Sequence, residues 1–346
     1  MSKYDETYFF RHATVKDIDA IMCFLKNEWG EKHILANDKE LFIWQYGNEQ
    51  YGDKETINFL LMENQEGEII GLNGFIPYSP ESTTRYISSS ITKVGSKNKI
   101  PMAGIELIKK FKELVIAGEE FSSGTNPKTM IPIAKRVLRY NTGIMKQYYM
   151  LNPEIKDFKI AKILDKKEQN VWRVTEGELK LVKVDNFDSD SYKFGEKYAR
   201  QSVKSKEYLV YRYCKHPIYK YNIYRLCDCD ERIKGFLIGR EIWVEERKVL
   251  RLVDYIGELN YLGEIGGSLQ KLLIKEKYEY IDLVVSELEE KIVQKSGLRE
   301  RDENIIIPMY FEPFVQENVE VWYQRSDENI TIFKADGDQD RPNFRL

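Results

Sequence analysis

Between Ile91 and Ile108 the chain reads Ile-Thr-Lys-Val-Gly-Ser-Lys-Asn-Lys-Ile-Pro-Met-Ala-Gly-Ile-Glu-Leu-Ile. The pattern is a strand end, a polar glycine-bearing loop and the first turns of a helix. Such a turn aims backbone N–H groups and the positive end of a helix dipole at one spot, which suits a pyrophosphate. Thr92, Lys93, Val94 and Gly95 end the strand and open the loop. Lys97 and Lys99 add charge, and Met102, Ala103 and Gly104 start the helix. Asn126, in Gly124-Thr-Asn-Pro127, offers an amide to the same kind of ligand, although Asn-Pro is also an ordinary turn signal. Two groups could move protons. His33 lies among Trp29, Trp44 and Tyr46, and a near-neutral imidazole suits deprotonation of an amine. It could equally be a histidine that only hydrogen-bonds inside an aromatic cluster. Asp254 lies on the apolar run Leu250-Arg-Leu-Val-Asp-Tyr255, where a carboxylate has either a raised pKa or a close partner such as Arg251 or Arg240.

Polar ligands have further candidate contacts. Tyr213, Lys215, His216 and Tyr219 suit a nucleotide or an interface between domains. Phe311 and Phe314 flank Glu312-Pro313 and could stack on a base or simply pack. Asp336, Asp338, Asp340 and Arg341 could hold sugar hydroxyls and a phosphate. The same run imitates the start of an EF-hand loop, but Gly337 is misplaced, no closing Glu follows and Pro342 would break the next helix. No metal is expected. A capping turn between two domains is the plain alternative.

The elements that must position these residues follow from apolar spacing. A strand over 8–13 precedes a helix over 17–29 with Thr14 as N-cap, then a second helix over 39–46. Strands over 58–63 and 69–78 form a hairpin, followed by a strand over 85–94, a helix over 102–114 and a strand over 115–122. A helix to Tyr140 and a strand over 143–150 close the first half. The second half repeats the order without a residue-level repeat. It has a helix over 204–213, a hairpin of 221–227 with 232–244, a strand over 249–256 and a helix over 265–275. A strand over 280–285, a helix over 287–294 ended by Gly297, a strand segment at Tyr310 and Phe311, and a last strand over 331–334 follow.

The chain has 346 residues, 53 Lys and Arg against 56 Asp and Glu, and a formal charge of −3. That length suits two domains. The near-neutral balance offers no basic field for nucleic acid. No apolar run approaches a membrane span, the N-terminus does not read as a signal peptide, and Cys23, Cys214, Cys227 and Cys229 lack zinc or disulfide-framework spacing. A cytoplasmic protein with reduced thiols is expected, with no membrane partner. If it forms a homo-oligomer, a symmetric dimer is the base-rate choice.

The loop at 91–108, with strands before and after it, resembles the coenzyme A-binding motif of the GNAT acyltransferase superfamily. It departs from the usual Gln or Arg followed by Gly-x-Gly or Gly-x-Ala, because Lys97, Asn98 and Lys99 stand there and Ala103-Gly104 is the only small pair. Further segments resemble a narrower group, the tandem-GNAT sugar-nucleotide N-acyltransferases of bacterial surface-polysaccharide (O-antigen) biosynthesis. They are Glu28-Trp-Gly-Glu-Lys-His-Ile-Leu35, Leu41-Phe-Ile-Trp-Gln-Tyr46, Ser123-Gly-Thr-Asn126, Arg212-Tyr-Cys-Lys-His-Pro217, Leu252-Val-Asp-Tyr255, Ile307-Pro-Met-Tyr-Phe-Glu-Pro-Phe314 and Ala335-Asp-Gly-Asp-Gln-Asp-Arg-Pro-Asn343.

The resemblance implies an α/β (α+β) fold of two GNAT-like domains in tandem, each a mixed, mostly antiparallel sheet flanked by helices. Residues 1–150 would bind acyl-CoA, 151–200 would connect, and 201–346 would shape the sugar-nucleotide site. It implies transfer of an acetyl or 3-hydroxybutyryl group from acyl-CoA to the amine of a dTDP- or UDP-linked deoxyamino sugar. Amide formation from a thioester needs a neutral amine, donors for an oxyanion and a proton for the leaving thiolate. The glutamate that the superfamily often carries on the strand before the loop is missing from 85–92. His33 and Asp254 are therefore the candidate bases, and Tyr148 or Tyr149 the candidate acid, one facing the cleft and one away. Trp29, Trp44, Tyr46, Tyr213, Lys215, His216, Phe311, Glu312, Asp338, Asp340 and Arg341 are the candidate acceptor contacts. A FemAB-like aminoacyl transferase and a non-catalytic tandem-GNAT binding protein are the alternatives.

Overall fold

The computed structural model describes residue 4 and residues 6–80, 86–115, 118–165, 174, 177–189 and 191–343. Arg85, which the sequence places at a strand start, lies outside them, as do 116–117 of the strand expected over 115–122 and most of 166–176.

Strands β1 (Phe9–Thr14), β2 (Asp53–Glu63), β3 (Ile69–Pro77), β4 (Ile87–Val94), β5 (Glu120–Ser123) and β6 (Asn141–Ile144) belong to one sheet. Strands β7 (Lys146–Leu151), β8 (Lys180–Val184), β9 (Tyr221–Cys227), β10 (Ile233–Val244), β11 (Arg247–Gly257) and β12 (Tyr280–Val285) belong to a second. A late strand, β13 (Trp322–Arg325), returns to the first sheet. The first sheet runs β1-β2-β3-β4-β5-β13-β6, and the second runs β8-β9-β10-β11-β12-β7 with the short strand Arg299–Glu300 at its edge. Each sheet is antiparallel except at one place, β4 beside β5 and β11 beside β12. In each half a helix crosses over between the parallel pair: α3 (Ala103–Leu114) in the first and α6 (Gly266–Lys275) in the second.

Helix α1 (Ile18–Glu28) forms because Ile18, Ile21, Phe24 and Leu25 share one face, which is buried. Its N-cap is Asp17 rather than Thr14. The Asp17 carboxylate accepts from the Thr14 N–H at 2.8 Å, which winds a short 3-10 turn before the helix. Helix α2 (Lys39–Tyr46) starts where the Asp38 side chain accepts from the Leu41 N–H. It packs against α5 (Lys206–Cys214), with Trp44 stacked on Tyr211 at 6.1 Å between ring centroids. The largest apolar core runs through these helices and both sheets.

Several boundaries differ from the sequence reading. The strand expected over 143–150 breaks at Met145, whose N–H donates to Val321 O, so β6 stays in the first sheet and β7 crosses into the second. The helix expected to reach Tyr140 is α4 (Met130–Ile133), followed by a wider turn over Ala134–Leu138. Helix α7 (Glu290–Ser296) begins three residues later than expected and ends at Gly297, φ +71°. The strand expected over 331–334 is reduced to one bridge, Val285 to Phe333, because Thr331 and Ile332 give their N–H groups to Arg200 O and Ser286 Oγ. The last strand is β13, which the sequence reading left unassigned.

Candidate active site

Strands β4 and β5 pair at only two positions, Ile87 with Glu120 and Ser88 with Phe121, and then diverge. The cause is local. Gly74 pairs with Ile91 and Phe75 with Ser89, so Ser90 is an extra residue, a bulge that bends β4 away from its neighbour. The resulting cleft has a volume of ≈ 570 Å³. Ser89, Ser90, Thr92, Lys93 and Val94 line one wall, and Ser122, Thr125, Asn126 and Gln324 line the other. Thr125 Oγ1 and Gln324 Oε1 are buried there with no partner among the described residues. Orphaned polar atoms are costly, so a cleft lined by them fits a ligand with amide groups.

The second half carries the same device, closed. Its bulge is at Val253, since Ile238 pairs with Asp254 and Gly239 with Leu252. Strands β11 and β12 pair only from Leu250 to Leu252. Into that gap runs the C-terminal segment: Ile332 O accepts from Ser286 N–H, and Ala335 N–H donates to Val253 O. Gly266 of α6 packs against Ser296 O, where a Cβ would lie 2.6 Å away. Among the described residues the open gap is therefore the one in the first half.

The loop before α3 is held from several sides. The Asn98 side chain accepts from Tyr8 Oη at 2.8 Å, and Lys97 pairs with Glu68. Met102 adopts left-handed backbone, φ +66°, a strained conformation for a side chain of this size. Ala103 and Gly104 follow it at the start of α3, where N–H groups precede the first helical bonds. Glu28 of α1 takes two donors of this loop, the Ser96 N–H at 2.9 Å and the Ser96 hydroxyl at 2.7 Å. Gly95 permits that approach, because a Cβ there would lie 2.9 Å from Phe24 and 3.1 Å from Glu28. Asn126 Oδ1 accepts from the Lys128 and Thr129 N–H groups, which makes it a turn former as well as a cleft residue.

Behind the cleft wall the fully buried Tyr46 hydroxyl lies 3.0 Å from Ser90 Oγ. Burial, and then the charge of Asp338, push its pKa upward, so the phenol stays protonated. His33 Nε2 faces Arg341 Nη2 at 3.4 Å, and Nδ1 has no partner among the described residues. Burial, then the Arg341 charge, lowers this imidazole to about 4. Trp29 is 47 % exposed at the cleft mouth, beside His33.

Across the C-terminal segment lies a second cavity of ≈ 210 Å³, where Phe311, Glu312, Asp338, Asp340 and Arg341 meet Tyr219, Arg240, Arg251 and Lys334. Gln339 borders this cavity and fits over Gly124, φ +71°, where any Cβ would strike its side chain. Asp340 accepts from Tyr221 Oη at 2.8 Å and Arg240 Nη2 at 3.0 Å. Burial pushes this carboxyl up, but Arg240 and Lys334 outweigh it and hold it at about 2. Glu312 accepts from Tyr219 at 2.9 Å. Lys334 is 2 % exposed and donates to Gln339 O at 2.8 Å. Burial, then the Arg251 charge, lowers it to about 8.

Other candidates lie elsewhere. Asp254 is fully buried against Lys204 at 2.6 Å and Tyr213 Oη at 2.6 Å, and Lys204 also binds Asp336 at 2.8 Å. Its ion partner is therefore Lys204, since Arg251 pairs with Asp282 and Arg240 with Asp340. That spends Tyr213 and Asp254 on tying α5 to the second sheet. Tyr148 and Tyr149 are on β7 in the second sheet, on opposite faces as expected, and each is 1 % exposed within a hydrophobic core. His216 Nδ1 accepts from the Ile218 and Tyr219 N–H groups while its ring packs on Trp44 at 4.1 Å. Lys215 is exposed at the end of α5. The sequence reading missed Ser90, Thr125, Gln324, Lys334 and Arg240 as cavity residues. Ser90 adjoins one quoted segment and Thr125 lies within another, but no sequence signal marks a bulge.

No protein-family model matches the chain, and no curated protein is similar to it in sequence. Solved structures are similar in shape. A GCN5-related N-acetyltransferase from Anabaena variabilis ATCC 29413 superposes with a TM-score of 0.53 at 12% identity, covering 92% of this chain and 72% of that one. The fold is the GCN5-related N-acetyltransferase fold. A GCN5-related N-acetyltransferase from Sphaerobacter thermophilus gives a TM-score of 0.40 at 11% identity, covering 94% and 96% of the two chains. Saccharomyces cerevisiae N-myristoyltransferase with bound myristoyl-CoA gives 0.44 at 9% identity, covering 92% and 82%. The two sheets exchange strands, since β7 lies in the second and β13 in the first.

Proposed function

We propose that the protein is a CoA-dependent N-acyltransferase that acylates the amine of a nucleotide-linked deoxyamino sugar, with an acetyl or 3-hydroxybutyryl donor. The observation that carries the reading is the bulge-opened cleft between β4 and β5, with Thr125 Oγ1 and Gln324 Oε1 buried and unpartnered. They suit the amide groups of a pantetheine arm. Lys93, Lys99 and the start of α3 suit its phosphates. The name of the Anabaena structure, an N-acetyltransferase, supports the same chemistry.

The reaction joins the amine nitrogen to the acyl carbon and breaks the carbon–sulfur bond. One proton leaves the nitrogen and one reaches the sulfur. The bulge at Ser90 leaves a ladder group unpaired, a donor for the carbonyl oxygen. Tyr46, protonated and bonded to Ser90, supplies the proton at sulfur, the role that the sequence reading gave to Tyr148 or Tyr149. His33 fits base catalysis poorly, because burial, and then the Arg341 charge beside it, disfavours its protonated form. It serves as the neutral acceptor that orients Arg341. Asp338, between that pair and the polar cavity, takes the amine proton. The three carboxylates and four cationic side chains of the ≈ 210 Å³ cavity suit a hydroxylated sugar ring.

The test is CoA release, read by thiol detection, with acetyl-CoA and 3-hydroxybutyryl-CoA against dTDP- and UDP-linked amino sugars. Release that requires one sugar is expected. One observation favours a non-catalytic binding protein instead: Glu28 already occupies the Ser96 donors of the phosphate loop. Absence of release with every pair would favour that reading.

A further inference from the structure

We propose that a groove on the second unit binds the nucleoside diphosphate of the acceptor, an inference that takes the ligand's identity from the acyl-transfer reading. The groove has a volume of ≈ 910 Å³ and lies between α6 and the edge formed by β8, β9 and β10. Its walls carry six cationic side chains (Lys180, Lys183, Lys220, Arg240, Lys271 and Lys275) against two carboxylates, Glu241 and Glu276. That excess stands out in a chain of net charge −3.

Both carboxylates have partners, Glu241 with Lys248 and Trp243, and Glu276 with Lys248 and Lys275. Lys180, Lys183 and Lys220 have no carboxylate within ion-pair distance among the described residues. The carbonyl end of α6 would repel an anion, but Lys271 and Lys275 cover it.

The groove is also aromatic. Tyr224 and Tyr278 form part of its floor, and Trp243 is 58 % exposed at its side. An exposed indole in a lysine-lined groove suits a base with a phosphate chain, and the lysine over its ring, at 5.2 Å, is Lys248, the partner of Glu241. The groove and the smaller polar cavity share a wall, since Tyr219 and Arg240 line both. The Arg240 guanidinium lies 4.0 Å from the Tyr219 ring centre, and Asp340 fixes its far side. A sugar in the small cavity and a diphosphate in the groove would thus both lie against Arg240.

The experiment is calorimetric titration of the full chain with dTDP, UDP and inorganic pyrophosphate, with CoA titrated in parallel. One nucleoside diphosphate should bind. The double variant K183E/K220E should weaken it at least about tenfold, and Trp243→Ala about fivefold or more, with CoA affinity unchanged in both. CoA binding without nucleotide binding would overturn the groove proposal alone. So would nucleotide affinity unmoved by K183E/K220E, or pyrophosphate binding as tightly as either nucleotide. Nucleotide binding that follows these variants, in a protein that does not bind CoA, would uphold the groove and overturn the acyl-transfer reading.

Discussion

At the residue scale, the site depends on which polar groups are already committed. Asp254 has three partners, an ion pair among them, whereas the equally buried Tyr46 bonds Ser90, which lines the open cleft. Tyr46→Phe should lower kcat about a hundredfold with little change in KM for acyl-CoA, checked by steady-state thiol release. Lys204→Met should destabilise the chain by about 3–5 kcal/mol, because it leaves Asp254 and Asp336 buried without their cation; urea unfolding measures this. Two imidazoles contribute to the loss of stability in acid, beside carboxylates such as Asp340 that their partners hold low. Burial holds His33 at about 4 and His216 at about 3, both below the unfolded value near 6.5. Their contribution is complete above about pH 6.5 and is lost as pH falls towards 4 and then 3, because the unfolded chain binds the protons. The melting temperature should therefore fall over that window, and less steeply in His216→Asn. The sequence exposed the residue types here, but not their partners. Lys204 and Asp254 lie 50 positions apart, and no local pattern ties them.

At the element scale, the working part is a strand with one residue too many. Apolar alternation made the strands and α3 legible, since Leu107, Ile108 and Phe111 bury one face of that helix. Alternation alone does not place the gap between β4 and β5, which their pairing shows. It could not show the bulge at Ser90, because adding one residue changes pairing and leaves composition untouched. Nor could it show Glu28 at the loop, which depends on the position of α1 against Gly95. Glu28→Gln removes a negative charge from the site expected to hold phosphate. CoA should bind about three- to tenfold tighter to that variant in calorimetry, whereas a purely structural Glu28 would leave affinity unchanged or weaker.

At the scale of the whole molecule, the two halves are interlocked. Strand β13, from the far end of the chain, sits between β5 and β6, and β7 crosses from the first half into the second sheet. The element order in sequence suggests a tandem plan, but this exchange depends on pairings as far as about 180–200 positions apart. A fragment of residues 1–200 lacks β13 and should fail to fold by circular dichroism, whereas two independent domains would leave it folded. The C-terminal segment has a double role, filling the gap between β11 and β12 and walling the small polar cavity. The central claim is that the unfilled gap holds the pantetheine arm. It is tested most directly by calorimetric titration of CoA into the wild type and into Thr92→Trp, a variant that fills the cleft at its wall. The account predicts one CoA per chain for the wild type and affinity at least about thirtyfold weaker in the variant, with the melting temperature little changed. Absence of CoA binding, or equal affinity in both proteins, would contradict it.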